Sequence, residues 1–311
     1  MPDKNSQHAF RTLGDAELQF GVSDEEILFG DLFKQDQLFL GYYSEDGLDI
    51  AMKEYGIKQD LADRGFPETQ LRISPHASGF QLQITCEDGV LIDVVLDIAH
   101  LNLAETLQTH ATSASHRVLY VHWLEMSNPS ASFSDKQSPL PAQLAPGLKL
   151  GSKVYDILVN VCKRLNLDAI VAVPMYFHNA IFYSKWFRYA DPKYEGVFQA
   201  IQRDSSKVYE DQAAMTKWKS ISTTSWAFVL NPPIERATAE STAWFTEPMM
   251  SPLSTPLRRF LQSDWYAHRV KVSSDLSSLV FPESDFFKTL EDMGVEPFDK
   301  EKFQTSFQKK S

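Results

Sequence analysis

The stretch PGLKLGSKVYDILVNVCKRLNL, residues 146–167, runs a glycine-punctuated loop into a helix. Val154, Ile157, Leu158, Val161, Cys162 and Leu165 recur at three- and four-residue spacing, with Lys153, Asp156, Asn160 and Lys163 between them, which predicts an amphipathic helix over 152–165. Lys163 and Arg164 suit the negative end of its dipole, and Asn166 can close it. A helix begins with N–H groups that have no intrahelical acceptor and with a partial positive charge, so a loop whose backbone comes close can hold an anion there. Gly147 and Gly151 give this loop that freedom, although such a pair also serves as plain turn geometry.

On the upstream side, Ser127 to Pro146 is rich in Ser, Pro and Gln, with Pro129, Pro139, Pro141 and Pro146, and reads as a long loop. Before it, RVLYVHWLEM (117–126) reads as a strand rich in branched and aromatic residues. Earlier still, Phe80, Leu82 and Ile84 alternate, the chain turns through Asp88-Gly89, and Val90, Ile92, Val94 and Leu96 resume the alternation, which is a β-hairpin signature. The first 70 residues read mostly as helices and connectors, LDIAMKEYGIKQDLADRGF (48–66) among them. The YSEDGLDIAMKE segment is not a calcium loop, because a tyrosine stands where the first carboxylate is needed.

Downstream, DAIVAVPM (168–175) reads as a short strand buried on both faces, and HNAIFYSKWFRY (178–189) as a short aromatic helix or turn. GVFQAIQR (196–203) fits strand and helix alike, whereas TSWAFVL (224–230) is expected as a strand that Asn231-Pro232-Pro233 ends. This gives a domain over 1–233 and a C-terminal extension over 234–311, helical or irregular, that carries no recognisable motif.

Composition removes several function classes. Among 311 residues, 43% are hydrophobic and 23% charged, as in a globular protein with a full core. A formal charge of −11 repels phosphate backbones and anionic lipid, so nucleic acid is not expected as a partner, while a cationic small molecule or basic protein suits the field. Cys86 and Cys162 are too few and too far apart for a disulfide framework. No secretory start and no apolar run of roughly 18 residues is present, which makes a cytoplasmic protein without a membrane span the expectation. The eight histidines include no metal-type pair, so His76, His100 and His178 read as plain polar residues. No nucleophile elbow, Walker loop or dinucleotide fingerprint occurs.

Hairpin, strand, long loop, glycine turn, amphipathic helix, apolar strand and Asn/Tyr-containing helix follow one another, and in that order the chain resembles the GNAT superfamily of acyl-CoA-dependent N-acyltransferases. PGLKLGS looks like that family's RGKGIGS loop, with Gly147, Leu150, Gly151 and Ser152 as matches, Pro146 in place of the usual Arg or Gln, and Lys149 in place of the middle glycine. HNAIFYSKWFRY is similar to the family's Asn-x-x-Ala-x-x-x-Tyr helix through Asn179, Ala180 and Tyr183, with shortened spacing and no Gly-Phe. The pairing of Pro-Gly-Leu-x-Leu-Gly with FRYADP (187–192) also looks like bacterial GNAT-like proteins. The resemblance implies an α/β (α+β) fold with a mixed, mostly antiparallel central sheet flanked by helices. It implies acetyl-CoA or another acyl-CoA as co-substrate and a small-molecule or peptide amine as acceptor, and it allows a homodimer.

In such an enzyme the loop of Gly147, Lys149, Leu150, Gly151 and Ser152 would hold the diphosphate, and the Lys149 side chain would either block the approach or pair with a phosphate. Backbone around Leu124 and Met126 would hold the thioester, Asn179 the pantetheine arm, and Tyr183 would protonate the departing thiolate; a packed aromatic is the other reading of Tyr183. Glu125 is the candidate base, near the end of its strand and on the same face as Trp123, where partial burial raises a carboxyl. His122, on the opposite face, is its rival because imidazole already titrates near neutrality. A non-catalytic protein that keeps the scaffold and binds a ligand or partner is the second reading, supported by the substitutions at Pro146 and Lys149.

Overall fold

The structure is a computed structural model that describes residues 38–103, 115–134, 137–209 and 217–282. The architecture is mixed α/β, with a seven-stranded, mostly antiparallel sheet and flanking helices. The residues fall into two compact units that interleave along the sequence.

The first unit spans residues up to Ala99, with Leu119–Pro129 and Gly147–Arg164. Helix α1 (Glu45–Glu54) starts where the Ser44 side chain accepts the Gly47 N–H at 3.1 Å, with Glu45 and Asp46 at the positive end and Lys53 at the negative end. It covers the YSEDGLDIAMKE segment. Gly56, at φ +70°, breaks the chain into α2 (Ile57–Ala62), whose Ile57 and Leu61 are fully buried. Strands β1 (Gln70–His76) and β2 (Gly79–Cys86) pair antiparallel with Leu71 opposite Ile84 and Ile73 opposite Leu82. The turn between them needs glycine: at Gly79 φ is +130°, and a Cβ would lie 2.4 Å from the Leu96 carbonyl oxygen.

Strand β3 (Gly89–Asn102) pairs with β2 through a tight turn that sets Cys86 opposite Gly89, and a bulge at Ile84/Thr85 interrupts the register. The hairpin is therefore the one its alternation predicts. Leu91, Ile92, Val94, Val95 and Leu96 are all buried, so β3 is covered on both faces along its middle. Strand β4 (Ser115–Met126) follows, with Leu119–Met126 in this unit. Helix α3 (Gly151–Arg164) starts within one residue of the expected position and turns Leu158 and Cys162 inward.

The second unit holds the rest. Strand β5 (Ala169–Ala172) is buried at every residue, as its unbroken apolar run predicts. Helix α4 (Phe177–Tyr183) is short, β6 (Arg188–Tyr189) has two residues, and α5 (Pro192–Tyr209) resolves GVFQAIQR as helix. TSWAFVL is not a strand: it lies in α6 (Lys217–Leu230). The helix is buried on nearly all sides from Ser220 to Phe228, which erases the 3.6-residue polarity pattern. Its hydroxyls are spent internally, Thr224 on the Ser220 carbonyl at 2.9 Å and Ser225 on Ile221 at 2.8 Å.

Helix α6 also anchors the Pro-rich loop. Ser222 Oγ and the Trp226 indole N–H both donate to the Pro139 carbonyl, at 2.9 and 3.0 Å, and the Trp218 indole N–H donates to Ser138 O at 3.0 Å. Beyond residue 233 come β7 (Ile234–Glu235), β8 (Met249–Pro252), α7 (Thr255–Leu261), α8 (Asp264–Leu276) and β9 (Leu279–Val280). Strand β8 pairs antiparallel with β5 and with β6, so the extension contributes a strand to the main sheet, whose order is β1-β2-β3-β4-β5-β8-β6. Strands β7 and β9 pair separately. Residues 1–37 and the terminal QKKS lie outside the described residues.

Candidate functional site

The loop into α3 is fastened at its first two residues within the first unit. Gly147 forms an antiparallel bridge with Ser127, and the Leu148 N–H donates to the Met126 carbonyl at 3.2 Å. The Arg64 Nε donates to the Leu148 carbonyl at 3.0 Å, which ties the loop to the end of α2. Leu148 and Leu150 are buried at 2% and 3% exposure, so both leucines of the motif turn inward. Lys149 between them is exposed and takes up a left-handed backbone, φ +59°, the conformation a glycine at this place would adopt without strain.

Helix α3 starts immediately after. Its first backbone bond runs from Val154 N to Leu150 O at 3.0 Å, and leucine offers no side-chain acceptor to cap the turn. At Gly151 an added Cβ would meet only the Met126 methyl, at 3.9 Å, so this glycine is required neither by φ nor by packing. Ser152 and Lys153 are exposed. Lys153 is committed: its ammonium binds the Asp60 carboxylate and the Gly56 carbonyl at 3.3 Å. Lys149 carries the loop's other positive charge.

Glu125 is half-buried on β4, and its carboxyl is raised by burial and then by the Asp93 carboxylate beside it. Asp93 is held by the Gln81 amide at 2.8 Å. Trp123 is exposed at 47%, and His122, exposed on the other face, lies against the Tyr120 ring with centroids 4.5 Å apart. Leu124 and Met126 are half-buried. The backbone expected to hold a thioester is partly engaged: the Met126 carbonyl accepts from Leu148, and Ser127 N–H donates to Leu91 O at 3.0 Å.

Asn179 and Tyr183 belong to the second unit, on α4. Asn179 Oδ1 accepts the Tyr176 N–H at 3.1 Å, a capping role that uses its carbonyl oxygen. Tyr183 packs on Phe187 with ring centroids 5.7 Å apart, and burial pushes its hydroxyl up to about 12. It keeps its proton at neutral pH and is a weaker acid than a thiol, whose ordinary value is about 8.5. His178 differs from the plain polar residue expected. It is 5% exposed, stacked on Tyr176, unbonded at Nδ1 and lowered by burial to about 3, so it is neutral and is no base.

A second group of polar residues was not singled out in the sequence. Glu195 on α5 is 5% exposed, raised by burial, and accepts the Tyr189 N–H at 3.0 Å through Oε2. It sits on the stripe that also carries Phe198 and Ile201, and a carboxylate on an apolar stripe is the signal that would have found it. That signal needs the helix, and GVFQAIQR fits strand equally well. No protein-family model matches the sequence, and no curated protein matches it.

Proposed function

We propose that the chain is an acyl-CoA-dependent N-acyltransferase. The observation that carries this reading is the loop at 147–152: its leucines turn inward, Lys149 is exposed, no side chain fills the space at Gly151 where a 14-residue helix starts, and the loop entry is pinned at Gly147 and Leu148. A fixed helix start with open space at Gly151 suits a diphosphate, because little ordering cost remains at binding. Glu125 adds a carboxyl moved toward neutrality one residue before the strand pairs with the loop.

In the proposed reaction the amine nitrogen of the acceptor attacks the thioester carbonyl. Glu125 takes the proton the ammonium loses, the C–S bond breaks, and the thiolate leaves to take its proton from solvent, because the buried Tyr183 hydroxyl is too weak an acid to supply it. Thermal denaturation with CoA and acyl-CoA esters of increasing chain length tests it: saturable stabilisation is expected, and none at millimolar CoA rules the reading out. In a thiol-release assay, Glu125→Gln is expected to lower turnover at least about 100-fold with CoA stabilisation unchanged.

A non-catalytic ligand-binding protein on this scaffold is the second reading. The engagement of Asn179 in capping and the burial of the Tyr183 hydroxyl favour it. CoA binding without thiol release from any acyl ester would select it.

A further inference from the structure

The second unit contains an open cavity of about 470 Å³ between β6, α5, α7 and α8. Its volume lies within the range of small-molecule sites. Leu261, Ala267, Val270 and the Tyr266 ring give the lining its apolar part, and Arg188 and Glu195 line it with opposite charges. The frame is rigid, because α5 and α8 touch at backbone distance beside Gly196 and the Tyr266 hydroxyl donates to Tyr189 O at 2.7 Å.

Glu195 and Arg188 are neighbours that do not satisfy one another. Arg188 Nε stands 3.8 Å from Glu195 Oε1, beyond hydrogen-bond distance, while Nη1 of the same guanidinium is held by the Ser184 and Phe187 carbonyls at 2.6 and 2.7 Å. Oε2 of Glu195 is spent on the Tyr189 N–H, but Oε1 has only Gln199 Nε2 at 3.4 Å. A buried carboxylate oxygen with one long bond, beside a guanidinium whose Nη2 bonds nothing among the described residues, leaves one strong acceptor and one strong donor side by side. Lys271 and Asp275 at the rim form an exposed pair, 2.5 Å apart, that a ligand can displace at little cost.

An adjacent acceptor and donor of opposite charge match a ligand whose ammonium and carboxylate sit on one carbon, and the apolar part of the lining takes what that carbon carries. We infer that the cavity binds a free α-amino acid with an apolar side chain, its ammonium on Glu195 Oε1 and its carboxylate on Arg188. This goes beyond acyl transfer and does not depend on it.

Calorimetric titration of the full chain with L-leucine, without CoA, tests the site. Saturable binding is expected, about tenfold or more weaker for N-acetyl-leucine, which lacks the ammonium, and for leucine amide, which lacks the carboxylate. Arg188→Met is expected to lose a similar factor. Ala267 is exposed on α8, so Ala267→Trp fills the mouth without entering the core and is expected to abolish binding while leaving the melting temperature near wild type. No saturable binding at millimolar leucine, analogues that bind as well as leucine, or undiminished binding by a folded Ala267→Trp protein would each overturn the assignment.

Discussion

A carboxyl held in an apolar stripe and one held by cations answer to pH in opposite senses, and α5 carries one of each. Burial raises Glu195, so its contribution to stability is complete below its ordinary value of 4.5 and is lost as pH rises through the higher folded value. Glu195→Gln keeps an acceptor for the Tyr189 N–H and carries no charge. Its melting temperature is expected to exceed wild type at neutral pH, with the difference vanishing in acid; a variant less stable at neutral pH would contradict this. Asp204 is the converse. Burial alone would raise it, but Arg203 in a two-pronged pair at 2.8 and 2.9 Å, the Leu279 N–H at 2.9 Å and Lys207 at 3.0 Å hold it well below the carboxylate range. Its stabilisation is present above 3.8 and lost as pH falls through the lower folded value. Asp204→Asn is expected to cost about 2 kcal/mol in denaturant unfolding at neutral pH, with a smaller penalty in acid.

At the scale of elements, close packing makes a single methyl costly. A Cβ on Gly196 would lie 2.4 Å from Val270 O, 2.6 Å from Ser273 Cβ and 2.8 Å from Ser274 N, two of them backbone atoms. Helix α8 must move to admit it, so Gly196→Ala is expected to destabilise by about 2 kcal/mol, measured by chemical denaturation. Elements with one solvent face were legible beforehand. Helix α3 announced itself by its apolar spacing and β2 by the alternation of Leu82 and Ile84, because water on one side imposes a period; β3, covered on both faces, was marked by the turn before it. Helix α6 had no such period, since both the apolar Trp226 and the polar Ser222 and Thr224 are buried, and branched and aromatic residues at 224–230 imitated a strand. Strand β8 has four residues, MMSP, too few to show any pattern. Glu195 was hidden because GVFQAIQR fits strand and helix alike, and only the helix sets it on the stripe with Phe198 and Ile201, whereas Glu125 and the glycine loop were visible because a strand end and a helix start are marked by local residues.

For the whole molecule, the charge of −11 opposes an anionic ligand such as CoA, so binding depends on local structure overcoming the general field. Lys149 is the loop cation not tied to Asp60, and Lys149→Glu is expected to weaken CoA binding about tenfold, with little change in stability because the residue is exposed. The most direct measurement is an amide NMR titration of the full chain with CoA and with inorganic pyrophosphate. The expected result is that the N–H resonances of Gly151, Ser152 and Lys153 move most, saturably and with both ligands, and that Gly151→Trp removes the response while the rest of the spectrum is retained. Resonances at 151–153 that stay in place at millimolar CoA, or that move no more than those of distant residues, would contradict a diphosphate cradle at the start of α3.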